Sequence, residues 1–195
     1  MFGFRRERTN ARAHQREPAD AFVALEKGAV QVYDAETSAV NSAVVSAMTG
    51  RKARVLAGNW TGVQFWVDDD AAAGDDSAMV FMLDPSTMIV DDFVEQGRFV
   101  AAILEGSIVA GMEAELLRSW LAERSMESLA PNTCVPVHPQ QFLTGSVDAR
   151  PLSTDSVSTT GWLIHSAKAL RVMHDLELQA GDPLPADFTE RVAEL

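Results

Sequence analysis

The stretch that most limits what this chain can fold into runs from Asp84 to Met126, where a helical pattern continues longer than anywhere else. Asp84 followed by Pro85 has the form of an N-cap and a first helical residue, because proline needs no N–H there and its φ already suits a helix. Ile89, Phe93, Val100, Leu104, Ile108 and Leu121 recur at roughly helical spacing and predict one buried face. Within this stretch Ala102, Gly106, Ala110 and Ala114, each four apart, form a flat strip of small residues. Glycine in a helix costs about 1 kcal/mol relative to alanine, so Gly97, Gly106 and Gly111 need a reason, and close approach of another backbone is the one expected. The alternative is a helix broken into two or three pieces near those glycines.

A second helix is predicted from Ala19 to Thr49, bounded by Pro18 and closed by Gly50. Phe22, Ala29, Tyr33, Val40, Val44 and Met48 give its apolar stripe, and Ala35, Ala39, Ala43 and Ala47 form another strip of small residues four apart. Helices approach closest where side chains are smallest, so the two strips are expected to face each other. Between the helices lie three short runs with β character, Arg54 to Ala57, Gly62 to Val67 and Ala78 to Leu83, which read most simply as an antiparallel meander. Asn59-Trp60-Thr61 spells a glycosylation sequon and is read as a turn.

Leu129 to Ser156, with Pro131, Pro136, Pro139 and Pro151, is expected to wrap the body in extended form, anchored by Cys134, Val135, Val137, Phe142, Leu143 and Val147. Helices over Val157 to Leu178 and Ala186 to Leu195 complete the chain. The expected fold class is α+β: a small antiparallel sheet of about three strands packed with two long helices and a C-terminal helical pair. Residues 1–17 are read as a basic N-terminal arm and residues 18–195 as a single α+β domain.

Charge separates arm from body. The net charge is −12, yet Met1 to Glu17 carries five arginines against Glu7 and Glu17, a balance of +3. The acidic remainder should repel nucleic acid, so any contact with it is expected only through the arm. In a helical arm Arg5, Arg8, Arg12 and Arg16 would share one face, with Phe2 and Phe4 as the apolar part of a contact. The expected counterpart is the acidic loop that contains Asp68, Asp69, Asp70, Asp75 and Asp76 on an adjacent copy, with a separate acidic protein or a nucleic acid as the alternatives. No apolar run approaches the ~18 residues of a membrane span, and the single cysteine, Cys134, excludes an internal disulfide. A cytoplasmic protein is expected, and the scarcity of lysine (Lys27, Lys52, Lys168) points to a bacterial or phage genome.

The chain offers little familiar chemistry. The aspartate loop fails as an EF-hand, since Ala72 and Ala73 occupy positions five and six and Met79 the twelfth. His165 and His174 are nine residues apart on one predicted helix, about 900° of turn, which places them on opposite faces. Cys134 and His138 lack the further ligands that zinc requires. Glu105 stands alone in an apolar run, and no phosphate-binding loop, HExxH or GxSxG is present. No metal and no cofactor is expected. The function expected is that of a non-enzymatic interaction or assembly protein: a virion or secretion-machine component, an immunity-type inhibitor or an adaptor. The second reading is a small-molecule-binding regulator with a pocket lined by Trp60, Phe65, Trp66 and Phe81, and the third an enzyme using Glu105, His138 or His165.

Overall fold

The structure, a computed structural model, describes residues 21–70, 75–145 and 151–195. Along the chain come β1 (Val23–Leu25), β2 (Val30–Val32), α1 (Ala35–Thr49), β3 (Ala53–Asn59), β4 (Gln64–Asp68), β5 (Met79–Asp84) and β6 (Ile89–Glu95). There follow α2 (Gln96–Glu105), a 3-10 segment (Ser107–Gly111), α3 (Ala114–Glu123), β7 (Thr133–Cys134), α4 (Gln141–Thr144), β8 (Val157–Ser158), α5 (Thr159–Asp175) and α6 (Phe188–Glu194). Among the described residues β1 to β6 form one six-stranded antiparallel meander in sequence order, and β7 pairs with β8 in a separate ribbon. The class is α+β, but the expected three-stranded sheet with two long helices is incorrect.

The correction begins at Asp84-Pro85. A proline φ suits the first residue of a helix and equally the second position of a turn, and here the turn wins. Asp84 Oδ1 accepts from the Ser86 amide at 2.8 Å and from Ser86 Oγ at 2.7 Å, an Asx turn that reverses the chain into β6. β6 then pairs with β5 from Asp84↔Ile89 to Met79↔Glu95. The helical remainder breaks at Gly106, whose φ of 72° closes α2 in the left-handed region, and again before α3 at Glu113, φ 51°. Gly106 and Gly111 have open space where a Cβ would sit. Close approach of another chain segment explains only Gly97, where an added Cβ would meet Asp76 Cβ at 2.9 Å and the Asp76 carbonyl oxygen at 3.2 Å.

The first helix begins at Ala35 rather than at Ala19, sixteen residues later, because residues 23–32 form the β1–β2 hairpin across a tight turn at Glu26, Lys27 and Gly28, all with positive φ. Asp34 caps α1 by accepting from the Thr37 amide at 2.8 Å, and Gly50 closes it with φ 70°. Asn59 Oδ1 accepts from the Thr61 and Val63 amides, so the sequon is a turn.

Helices cover both faces of the sheet. On one, α1 and Tyr33 pack over Val55, Trp66 and Leu83. On the other, Phe99 of α2 and Leu117, Trp120 and Leu121 of α3 cover Ala57, Phe65, Val67 and Val80. Phe65, Phe99, Leu117 and Leu121 are each at most 1% exposed, and burying a side chain of this kind stabilises by about 1.5–3 kcal/mol. α5 and α6 enclose a third cluster of Ala169, Val172, Met173, Phe188 and Val192 with Leu143 of α4. The wrapped segment is anchored by Leu129, Cys134, Val135, Val137 and Leu143, all buried, while Val147 lies outside the described residues.

The strips of small residues do not meet. α1 packs on β3 and α5, not on α2, and Ala43 and Ala47 are exposed. No helix among the described residues is long and apolar enough to cross a membrane.

Candidate functional site

The alanines left open on α1 form one wall of a large concavity. α1 buries only Asn41 and Val45 within its length, which leaves Ala43, Val44, Ala47 and Met48 facing α5 across a groove. α5 supplies Ile164, Ala167, Leu170 and Met173, and Met88 and Phe142 also line it. The groove measures about 1230 Å³. Ile164 and Leu170 are 40% and 38% exposed, large apolar side chains that the packing among the described residues leaves in contact with solvent.

The tie between the two helices is polar. Thr160 Oγ1 donates to Asn41 Oδ1 at 2.6 Å, Asn132 Nδ2 donates to Thr160 Oγ1 at 3.1 Å, and Asn41 Nδ2 donates to Asn132 Oδ1 at 3.4 Å. This closed triangle joins α1, the start of α5 and the wrapped segment, with Asn41 fully buried. Beyond it the helix surfaces carry alanines where bulky residues would otherwise fill the gap. Lys168, Arg171, His174 and Glu177 stand on the rim. Lys168 and Arg171 face Glu177 there, in a chain of net charge −12. Arg171 also lies 3.7 Å from Asp175, an exposed pair that adds little stability.

A second concentration of polar groups sits inside the body. Tyr33, Gln64, Cys134 and Thr159 are all buried beneath the start of α5. Burial pushes the Tyr33 phenol upward in pKa, opposed by a hydrogen bond with Gln64. Burial likewise pushes the Cys134 thiol up to about 12, against a smaller lowering by Thr159. Cys134 therefore stays protonated near neutrality and is no nucleophile. Gly58 and Gly62 pass close to this layer: an added Cβ would strike the Tyr33 hydroxyl at the first and approach Cys134 Sγ to 3.2 Å at the second.

The other residues singled out in the sequence are scattered. His138 is exposed and lies edge-on to Trp162 with centroids 6.2 Å apart, while His165 stacks on the same indole at 5.7 Å. The His165 pKa is lowered by burial first, then by His138 and Lys168. His174 is exposed on the groove rim, and Glu105 is exposed at the end of α2. Among the described residues no three His, Cys, Asp or Glu side chains cluster as metal ligands would. Trp60, Phe65 and Trp66 are fully buried and line no common pocket, since Trp60 and Phe65 belong to the core under α2 and α3 and Trp66 and Phe81 to the core under α1.

Phe2, Phe4, Arg5, Arg8, Arg12 and Arg16 lie outside the described residues. Of the five acidic loop carboxylates, those of Asp68, Asp69, Asp70 and Asp75 are already engaged locally. Asp68 takes a bidentate contact from Arg51, whose guanidinium lies 4.1 Å from the Phe81 ring centre. Asp70 is 3.6 Å from Lys52 and Asp69 is 4.0 Å from Arg54. Asp75 accepts from Ser77 Oγ and the Ser77 amide, which lower its pKa, and Asp76 accepts the Gly97 amide through its carbonyl.

The groove residues escaped sequence reasoning because the alanine strip has two physical meanings. Small residues mark either a tight helix contact or a face that nothing fills, and only the fold decides between them. Compared with protein-family models, curated proteins and solved structures, the chain matches none.

Proposed function

We propose that this protein is a non-enzymatic interaction module whose α1–α5 groove receives an amphipathic helix carrying acidic residues beside its apolar stripe. The observation that supports this most is the groove itself: exposed alanines of α1 line one wall, exposed aliphatic side chains of α5 the other, and Lys168 and Arg171 the rim. An amphipathic helix laid in such a groove buries its i, i+3, i+4 and i+7 side chains where Ala43 and Ala47 leave room. Its flanking carboxylates then meet the rim cations, which orients the ligand and speeds encounter. A small apolar molecule fits less well, because drug-sized ligands occupy enclosed pockets of roughly 300–1,000 Å³ and this groove is larger and open along its length.

Panning a library of helix-displaying peptides against the full chain tests the reading. The expected winners are amphipathic helices with acidic flanks whose binding weakens at least about tenfold, or about 1.4 kcal/mol, with Ala47→Trp. Because Ala47 is exposed, that variant should melt at the parent temperature. Lys168→Glu should select against the acidic flank. A panning that enriches no helix, or winners that bind Ala47→Trp as tightly as the parent, would contradict the proposal.

A further inference from the structure

The sheet ends at β6 in an unusually open edge. Its outer backbone groups have no ladder partner among the described residues, and six of its seven residues are exposed, Ile89, Val90 and Phe93 by 54%, 39% and 38%. Such an edge is a template for another strand, and natural sheets protect it unless pairing is its use. Two aspartates, Asp91 and Asp92, lie in the middle of it with no hydrogen-bond or ion-pair partner among the described residues.

Those aspartates decide what can pair there. A second β6 in antiparallel register about its central residue would place Asp92 opposite Asp92, and like charges directly across a ladder destabilise it. The edge requires a strand with cations opposite Asp91 and Asp92 and an aromatic opposite Phe93. The chain contains that sequence. Written antiparallel to β6, Phe4 falls opposite Phe93, Arg5 opposite Asp92 and Arg6 opposite Asp91, three consecutive matches in a single register. No proline interrupts residues 2–8, so every ladder N–H is present. Phe93 already lies 5.1 Å from Phe65 and 6.1 Å from Phe99, ring centre to ring centre, and Phe4 would cover the part of this aromatic group that faces solvent.

We propose that residues 3–7 of one copy add as a seventh antiparallel strand to the β6 edge of a second copy, so that the chain self-associates through its arginine arm. A second copy is the source because of where the arm joins the body. The described residues begin beside β1, at the far edge of the sheet, five strand spacings or ~24 Å from β6. Helices cover both intervening faces, so an arm returning to its own β6 would have to pass over a helical layer. This partner differs from the one the acidic loop offers, where Asp68, Asp69 and Asp70 already have cations of their own.

Charge reversal in full-length protein tests the proposal. One variant carries Arg5→Glu and Arg6→Glu, the other Asp91→Arg and Asp92→Arg. In sedimentation velocity at low ionic strength the wild-type chain is expected to associate, each variant alone to run as a monomer, and their equimolar mixture to regain association, because each arm then meets an edge of opposite charge. Added salt should weaken the wild-type and mixed assemblies. Arg5→Pro, confined to the arm, removes a ladder donor and should weaken association at least tenfold even if the reversed edge impairs folding. A monomeric wild-type chain, a mixture that stays monomeric, or an Arg5→Pro variant that associates like wild type would overturn the proposal.

Discussion

At Gly58 the backbone runs so close to Tyr33 that an added Cβ would strike the phenol oxygen and come within 2.9 Å of Gln64 Nε2. Both neighbours are buried, so neither can move aside without disturbing the polar layer under α5. Gly58→Ala should therefore lower stability by about 1–3 kcal/mol, seen as a lower urea midpoint. Ala43→Leu, on the exposed groove wall, should change stability by no more than about 0.5 kcal/mol. Equal losses at the two sites would mean that the α1 face is packed after all. Cys134 provides a pH test. Its folded pKa is about 12 against an ordinary 9.0, so the folded state holds a proton that the unfolded chain releases. The corresponding stability is fully present below about pH 9 and is lost as pH rises towards 12, with Tyr33 acting in the same direction. The urea midpoint should fall between pH 8 and pH 11, and Cys134→Ala should fall less steeply. Parallel falls in parent and variant would assign the loss to other groups.

Elements with a strong period or an unambiguous stop were legible in the sequence, and those with neither were not. β3, β4 and β5 occupy the three runs rich in branched and aromatic residues, and Gly50 closes α1 where its pattern said it would. β1 and β2 have three residues each, too few to show alternation, so the helix pattern absorbed them. β6 is exposed along nearly its whole length, so no buried face imposes a period of two, and Ile89 and Phe93 fell by accident into helical register with Val100 and Leu104. The β5–β6 hairpin depends on Asp84 for two hydrogen bonds at its turn. A net contribution of about 0.5–1.5 kcal/mol per hydrogen bond means that Asp84→Ala should destabilise by about 1–3 kcal/mol. A loss below 0.5 kcal/mol would show that Pro85 and the strands set the turn unaided.

Over the whole molecule, charge and concavity are arranged in opposite senses. The chain is strongly acidic, yet the α1–α5 groove carries Lys168 and Arg171 on its rim, and the six-stranded sheet ends at an acidic edge. Composition revealed the first property and could not reveal the others, which depend on which strands are outermost and on the Asn41–Thr160–Asn132 tie that sets α1 against α5. The alanine spacing on α1 is visible in the sequence, but its meaning depends on the other strip, which lies across the sheet. Amide chemical-shift mapping of the full chain with an acidic amphipathic helix selected by panning tests the central claim most directly. Binding in the groove should shift the amides of residues 43–48 and 164–174 together and leave those of α2 and α3 unchanged. Shifts centred on α2, α3 or the β6 edge, with residues 43–48 unmoved, would contradict it.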